Sequence, residues 1–173
     1  MTEHYSIIFE TDRLLLRRQV PEDLDALWTF HCNPENIRYY HDAPTTLEEV
    51  RAELEWDLDW YQEHDALGTW AIVEKATWKI IGLCSLLPRN VDGIEEVEMA
   101  YILAEECRGR GFGTELSRGV VKYAFEIVNL SRIVSLIEPD NMLSRHVVEK
   151  AGMLFEKEGQ DESGTVVVYA VSR

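Results

Sequence analysis

The sequence predicts a mixed α/β (α+β) domain, with a mostly antiparallel sheet of about seven strands and about four flanking helices. Three observations carry this prediction. Short apolar runs separated by turn residues follow one another through residues 70–103, the pattern of a three-strand meander. Apolar residues recur at steps of three and four after Pro21, after Thr46 and after Gly113, the last as Leu116, Val120, Tyr123 and Ile127, the spacing of helices with one buried face. Between Val97 and Ile137 the order is strand, glycine loop, helix, strand, which calls for one parallel pair joined by a right-handed crossover.

Taken in order, Arg13-Leu14-Leu15-Leu16-Arg17-Arg18 reads as a well-covered strand. Pro21-Glu22-Asp23 begins a helix, because proline suits a first turn and acidic residues there complement the dipole. Leu24, Leu27, Trp28 and His31 follow at helical spacing until Asn33-Pro34. His31 on that face reads as a packed histidine rather than a ligand. Residues 36–45 read as a loop carrying Tyr39, Tyr40, His41 and Asp42. A longer helix runs from about Thr46 to His64, with Leu47, Val50, Leu54, Leu58 and Tyr61 as its buried stripe. Trp56 and Trp60 lie on an adjoining face. Glu48, Glu49, Glu53, Glu55, Asp57, Asp59 and Glu63 fill other positions. Most of these read as a solvated face; the sharper alternative is recruitment of an amine cation beside the aromatic rings.

Strands follow at 70–73, at 80–87 (stopping at Pro88) and at 95–103, with turns near Lys75-Ala76-Thr77 and over Arg89 to Gly93. Residues 132–137 form another strand. Glu138-Pro139-Asp140-Asn141 begins a short helix that Gly152 closes. The tail, 154–171, reads as two strands turned near Asp161-Glu162-Ser163-Gly164. No repeat, low-complexity tract or linker intervenes, so residues 1–173 read as a single domain.

Composition narrows the function. A net charge of -15 and a pI near 4.7 argue against nucleic-acid binding, which rests on phosphate neutralisation by Lys and Arg. They permit a cationic small molecule or a basic peptide as partner. No apolar stretch approaches the ~20 residues that span a bilayer, and Met1-Thr2-Glu3-His4 lacks the start of a signal peptide. Cys32, Cys84 and Cys107 are odd in number and show no C-x-x-C spacing. Neither a disulfide framework nor a metal site is expected, and a reducing cytoplasm is the expected setting.

The stretch that organises the chain is Val97-Glu98-Met99-Ala100-Tyr101-Ile102-Leu103, followed by Arg108-Gly109-Arg110-Gly111-Phe112-Gly113-Thr114. Glycines let backbone N–H groups approach an anion closely, and the following helix N-terminus adds partial positive charge. A Rossmann fingerprint needs G-x-G-x-x-G, whereas the spacing here is G-x-G-x-G. A P-loop needs Lys and then Ser or Thr after its last glycine, which Gly113-Thr114-Glu115 lacks. R-x-x-G-x-G, read as Arg108, Gly111 and Gly113, does fit, and resembles the acyl-CoA pyrophosphate loop of the GNAT superfamily of N-acetyltransferases. Glu138-Pro139-Asp140-Asn141-Met142-Leu143-Ser144 and Glu149-Lys150-Ala151-Gly152-Met153 resemble that family's later P-x-N-x-x-S and E-K-x-G-M signature. Thr11-Asp12-Arg13-Leu14 and the Pro21 helix start are similar to the branch that includes ribosomal-protein N-terminal acetyltransferases. In the right order over most of the chain, these pieces resemble the GNAT layout.

The resemblance implies acetyl-CoA as co-substrate, bound between the strand ending near Leu103 and the parallel strand ending near Ile137. It implies that Met99, Tyr101, Ile102 and Leu103 hydrogen-bond the pantetheine arm through their backbone. The loop Arg108, Gly109, Arg110, Gly111, Phe112, Gly113 and Thr114 would hold the pyrophosphate. Asn141 and Ser144 would lie near the thioester, and Arg145 near a CoA phosphate. The acceptor is then a primary amine on a small molecule or a protein N-terminus, and the protein a monomer or homodimer without nucleic-acid or membrane partners. Acetyl transfer needs a deprotonated amine, a polarised carbonyl and a protonated leaving thiolate. Glu98, a carboxylate on an apolar strand, is the general-base candidate; the alternative is a residue on an open strand face. Many relatives carry Tyr four residues after Ser144, where this chain has Val148. That leaves Ser144, or a water it orders, as the acid, with helix capping as its other reading. Two readings of other classes compete: a non-catalytic acyl-CoA-binding sensor, supported by Val148, and a dinucleotide oxidoreductase. The latter fails on glycine spacing and on the 35 residues left after Glu138.

Overall fold

The computed structural model describes residues 5–173, so the reading of Met1 to His4 lies outside the described residues. Eight strands form one sheet: β1 (Ile7–Glu10), β2 (Leu14–Arg18), β3 (Gly68–Glu74), β4 (Lys79–Val91), β5 (Ile94–Leu103), β6 (Arg132–Ile137), β7 (Leu154–Asp161) and β8 (Gly164–Ser172). Their order is β1-β2-β3-β4-β5-β6-β8-β7, mostly antiparallel, with β5 and β6 the parallel pair. Four helices accompany them: α1 (Leu24–His31), α2 (Leu47–Glu63), α3 (Phe112–Glu126) and α4 (Met142–Lys150). The expected seven strands become eight because Ile7 to Glu10 returns antiparallel on β2. Its turn is held by Thr11, whose hydroxyl oxygen accepts the Leu14 N–H at 3.0 Å. No described helix is long and apolar enough to cross a membrane.

The chain divides into two compact units, Met1–Ser85 with Tyr101–Arg110, and Leu86–Ala100 with Gly111–Arg173. In the first, Leu14, Leu15 and Leu16 are buried on β2, which pairs with β3 from Leu14↔Glu74 to Arg18↔Trp70. The expected helix start at Pro21 is a 3-10 turn, Pro21–Asp23, leading into α1. Asp23 is buried there and takes both Arg17 nitrogens, at 2.7 and 2.8 Å. Thr46 caps α2 in a reciprocal box with Glu49, satisfying donors that a helix start leaves unpaired. Leu27 of α1 and Val50 and Leu54 of α2 pack on Leu83 of β4, with Leu58 and Ile102 at the margin.

In the second unit, α3 buries Phe112, Leu116, Val120 and Tyr123. Ile127, read from spacing as the next member of that stripe, is instead 71% exposed, because the helix ends at Glu126 and leaves Ile127 as its C-cap. β8 pairs with β6 on one side and β7 on the other, and Val134, Val166, Val168 and Ala170 form the core there with Val91.

Two features of the β4–β5 hairpin set what lies beside it. Pro88 does not stop β4, which runs on to Val91; within a sheet, proline is tolerated where its nitrogen is not needed as a ladder donor. The turn narrows to Asp92-Gly93, with φ of 51° and 80°. Positive values at both central residues fit the hairpin twist, and Asp-Gly is a preferred pair for them. Further along, a Cβ on Gly82 would stand 2.1 Å from the Ile102 carbonyl oxygen. Only glycine allows β4 to pass that carbonyl. Gly82→Ala should therefore destabilise the protein by about 2–4 kcal/mol through overpacking. The expected fall in Tm is roughly 5–15 °C, checked by thermal denaturation; an unchanged Tm would show that the strands separate freely there.

Candidate active site

The glycine loop follows β5 through a 3-10 turn at Glu105–Cys107. Gly109 and Gly111 have φ of 72° and 82°, the left-handed region that disfavours L side chains. Gly111 is the N-cap of α3, and Gly113 falls in the helix's first turn. Phe112 anchors the helix in the core, while Gly109, Arg110 and Gly111 remain exposed. The result is an open main-chain cradle leading into a fifteen-residue helix, an arrangement suited to a diphosphate.

The two loop arginines are already tied to the protein. Arg108 donates to the Glu35 carbonyl. Arg110 donates to Glu74 at 2.7 Å, and its own carbonyl accepts Arg13 Nη1 at 2.9 Å. The Thr77 hydroxyl and Arg110 together hold the Glu74 carboxyl below its ordinary range. Asn36 Oδ1 receives the Glu105 N–H at 2.8 Å, which fixes the turn before the loop. Their side chains thus brace the loop.

Glu98 is buried on β5, 8% exposed, at the residue that pairs with Val134 in the parallel ladder. Burial pushes its carboxyl above the ordinary range. Arg89, at 3.1 Å and itself half exposed, draws it back without cancelling the rise. One residue along, Ser135 of β6 donates its hydroxyl to the Met99 carbonyl at 2.7 Å. Tyr101 is also a desolvated group, its phenol pushed up by burial. Ile102 is partly buried, and Leu103 fully.

At α4 the helix cap is Asn141, whose side-chain oxygen accepts the Ser144 N–H at 3.2 Å. Ser144 does not fill the capping role open to it in the sequence; it lies within the first turn, partly buried. Arg145 donates to the Pro139 carbonyl at 3.0 Å and to the Tyr169 hydroxyl at 3.3 Å. Val148, where a tyrosine would offer a proton, is buried.

Residues 13–154 match the acetyltransferase (GNAT) domain family. The chain belongs to this family. An uncharacterised N-acetyltransferase of Bacillus subtilis, YoaA, is 31% identical over 156 residues, 88% of this chain and 84% of that one. In fold, the chain is similar to the ribosomal-protein-S5-alanine acetyltransferase of Vibrio fischeri, with a TM-score of 0.75 at 19% identity over 95% of each chain. It is also similar to the aminoglycoside acetyltransferase AAC(6')-Ib in complex with paromomycin and acetyl-CoA, with a TM-score of 0.79 at 22% identity over 94% of each chain. The GNAT fold expected from the motifs is therefore the fold observed.

This GNAT chain also holds polar groups that sequence reading missed. Asp57 is not on the solvated face of α2; it is 2% exposed. Gln19 Nε2 donates to it at 2.7 Å and to the Thr69 carbonyl at 3.2 Å, and the Tyr61 hydroxyl donates to that same carbonyl. The signal was available: Asp57 continues the 50, 54, 57, 61 stripe of buried positions. Burial pushes its carboxyl up to about 7, with Glu53 adding to the rise and Gln19 opposing it. A carboxyl raised in the folded state binds its proton more tightly there than in the unfolded chain. Its stabilising effect is complete below about pH 4, declines as pH rises and is lost above about pH 7. Asp57→Asn should match the parent in stability near pH 4 and exceed it by several kcal/mol above about pH 7. Denaturant titrations across that range check this, and a pH-independent difference would overturn the assignment.

Proposed function

We propose that this GNAT protein transfers an acetyl group from acetyl-CoA to a primary amine by direct attack, with Glu98 as the general base. The observation that carries the proposal is a buried carboxylate on β5, raised by desolvation and restrained by one half-exposed arginine. A base raised toward neutrality can take the ammonium proton as the amine attacks. Under this reading the whole chain acts as one acetyltransferase domain. Main-chain groups of Met99, Tyr101, Ile102 and Leu103 bind the pantetheine arm. Those from Arg110 through Thr114 bind the pyrophosphate, with Gly109 and Gly111 leaving the backbone uncovered. Asn141 orders the start of α4, and Ser144, or a water it holds, returns a proton to the departing thiolate. Arg145 reaches a CoA phosphate only by exchanging its present partners. The acceptor is a cationic amine, a small molecule or a protein N-terminus, favoured by the acidity of the chain. One observation favours a second reading, a non-catalytic acyl-CoA sensor: the position available for a tyrosine acid is the buried Val148.

Calorimetric titration with acetyl-CoA, against NADH as control, tests the shared basis of both readings. Saturable acetyl-CoA binding is expected, and Gly111→Val, forced to a φ of 82°, should abolish it while leaving a cooperative melt. No binding would refute both. Glu98→Gln should lower kcat by about 10²–10³-fold with acetyl-CoA affinity nearly unchanged. Acetyl-CoA binding without transfer to any amine in a broad panel would select the sensor. The pH dependence gives a second check. Arg89 favours the charged form of Glu98, so Arg89→Ala should raise the pKa further. The acid limb of kcat/KM should move to higher pH in that variant, and an unmoved limb would remove Glu98 from the base role.

A further inference from the structure

The outward face of α2 carries an aromatic and acidic stripe that neither the fold nor the proposed chemistry uses. Trp56, Trp60 and His64 form one stack, with ring centroids 5.2 Å apart for the first pair and 3.8 Å for the second. The stack is held from beneath. Trp60 Nε1 donates to the Leu67 carbonyl at 2.9 Å, and Arg18 donates to the carbonyls of His64 and Asp65. Trp60 is covered on both faces, whereas Trp56, at the end of the stack, is 51% exposed. Trp56 therefore presents an open indole face at the end of a fixed stack.

Charge follows the same stripe. At about 100° per residue, Glu49, Ala52, Glu53, Asp59 and Glu63 all fall within about 60° of Trp56. Asp59 and Glu63 are exposed and form no ion pair among the described residues. Arg51, the only basic residue of α2, lies about 140° away round the helix. The nearby Arg18 is engaged with Asp65 at 3.3 Å. One turn before Trp56 the stripe opens into a cavity of about 570 Å³ lined by Asp42, Pro44, Thr45, Glu49, Ala52 and Glu53. Glu49 is kept ionised by the donors of Thr45 and Thr46. Glu53 accepts the Tyr40 hydroxyl, and His31 Nε2 lies 4.0 Å from it.

We propose that this stripe is a docking surface for an extended, arginine- or lysine-rich segment of another polypeptide. Charge complementarity sets the sign of the partner, and the open indole face supplies cation–π contact for guanidinium groups. Length sets the class. From Glu49 to Glu63 the helix rises about 21 Å, which an extended strand of about six residues spans at roughly 3.4 Å each. One or two basic side chains at alternate positions would meet the rings, and another would enter the cavity. The surface stands independently of the acetyl-transfer reading, since binding here requires no co-substrate.

The probe is an N-acetylated, C-amidated hexa-arginine peptide, which has no primary amine and so cannot serve as an acetyl acceptor. Titrated at about 50 mM salt, where screening is modest, it should bind saturably and quench tryptophan fluorescence. Trp56→Ala should weaken binding about tenfold and Trp56→Phe less. The double reversal Asp59→Lys with Glu63→Lys should weaken it more, and Glu162→Lys on the β7–β8 turn should leave it nearly unchanged. Both α2 positions are exposed, and a cooperative melt of each variant is the control for folding. Absence of saturable binding would overturn the proposal, as would equal losses in the α2 and Glu162 variants, the mark of unspecific attraction to an acidic protein. If spermine binds more tightly than the peptide with the same dependence on Trp56, the stripe holds a small polyamine and the polypeptide assignment falls.

Discussion

The close passage of β4 over β5 is the constraint on which the remaining structure depends. At one end the Asp92-Gly93 turn fixes which residues face one another, through two positive φ angles that few sequences supply. At the other, Gly82 makes room for the Ile102 carbonyl. Glu98 and Met99 follow that turn on β5, where they are tied to Arg89 and Ser135. A slip of one residue would exchange the faces of β5 and turn the buried carboxylate outward.

The protein carries a large excess of acid, yet its buried carboxylates are treated individually. Asp23 receives a full bidentate arginine and the Val20 N–H, an arrangement in which charge and hydrogen bonding are both satisfied. Glu74 is held charged by the Thr77 hydroxyl and Arg110, and so serves as a brace. Glu98 has a single, half-exposed counter-ion and stays raised. Asp57 faces only neutral partners, the Gln19 amide and the Thr69 hydroxyl, and burial pushes it up to about 7. The same functional group is thus a lock, a brace or a proton store according to what faces it. Desolvation raises Asp57 and Glu98, and the donors facing Glu74 outweigh it there.

Much of this was legible from the chain alone. Local chemistry announces itself: the helix start at Thr46, the turn ending at Gly93 and the glycines before α3 each have short-range physical causes. The sheet was one strand short because Ile7 to Glu10 is too brief to show a period. Pro88 was read as a stop because sequence does not show which strand nitrogens lack ladder partners. Ile127 kept the helical spacing but lay past the last turn. The tertiary partners were the least legible. Arg89 for Glu98, Gln19 for Asp57 and Glu74 for Arg110 are 9, 38 and 36 positions apart, and nothing local selects them. In the loop, the guanidinium groups of Arg108 and Arg110 turn back onto Glu35 and Glu74, partners that no local pattern shows.

That turning back changes how the loop can vary through evolution. A cradle made from main-chain amides is specified by prohibition: positions 109 and 111 must decline side chains, whereas positions 108 and 110 must merely hold the loop in shape. Substitutions elsewhere on the surface, α2 included, leave those two prohibitions untouched. Under the proposed function, an acyl-donor end specified in this way remains constant while the acceptor-facing elements are rewritten one side chain at a time, so a single scaffold can change clientele without relearning its first substrate.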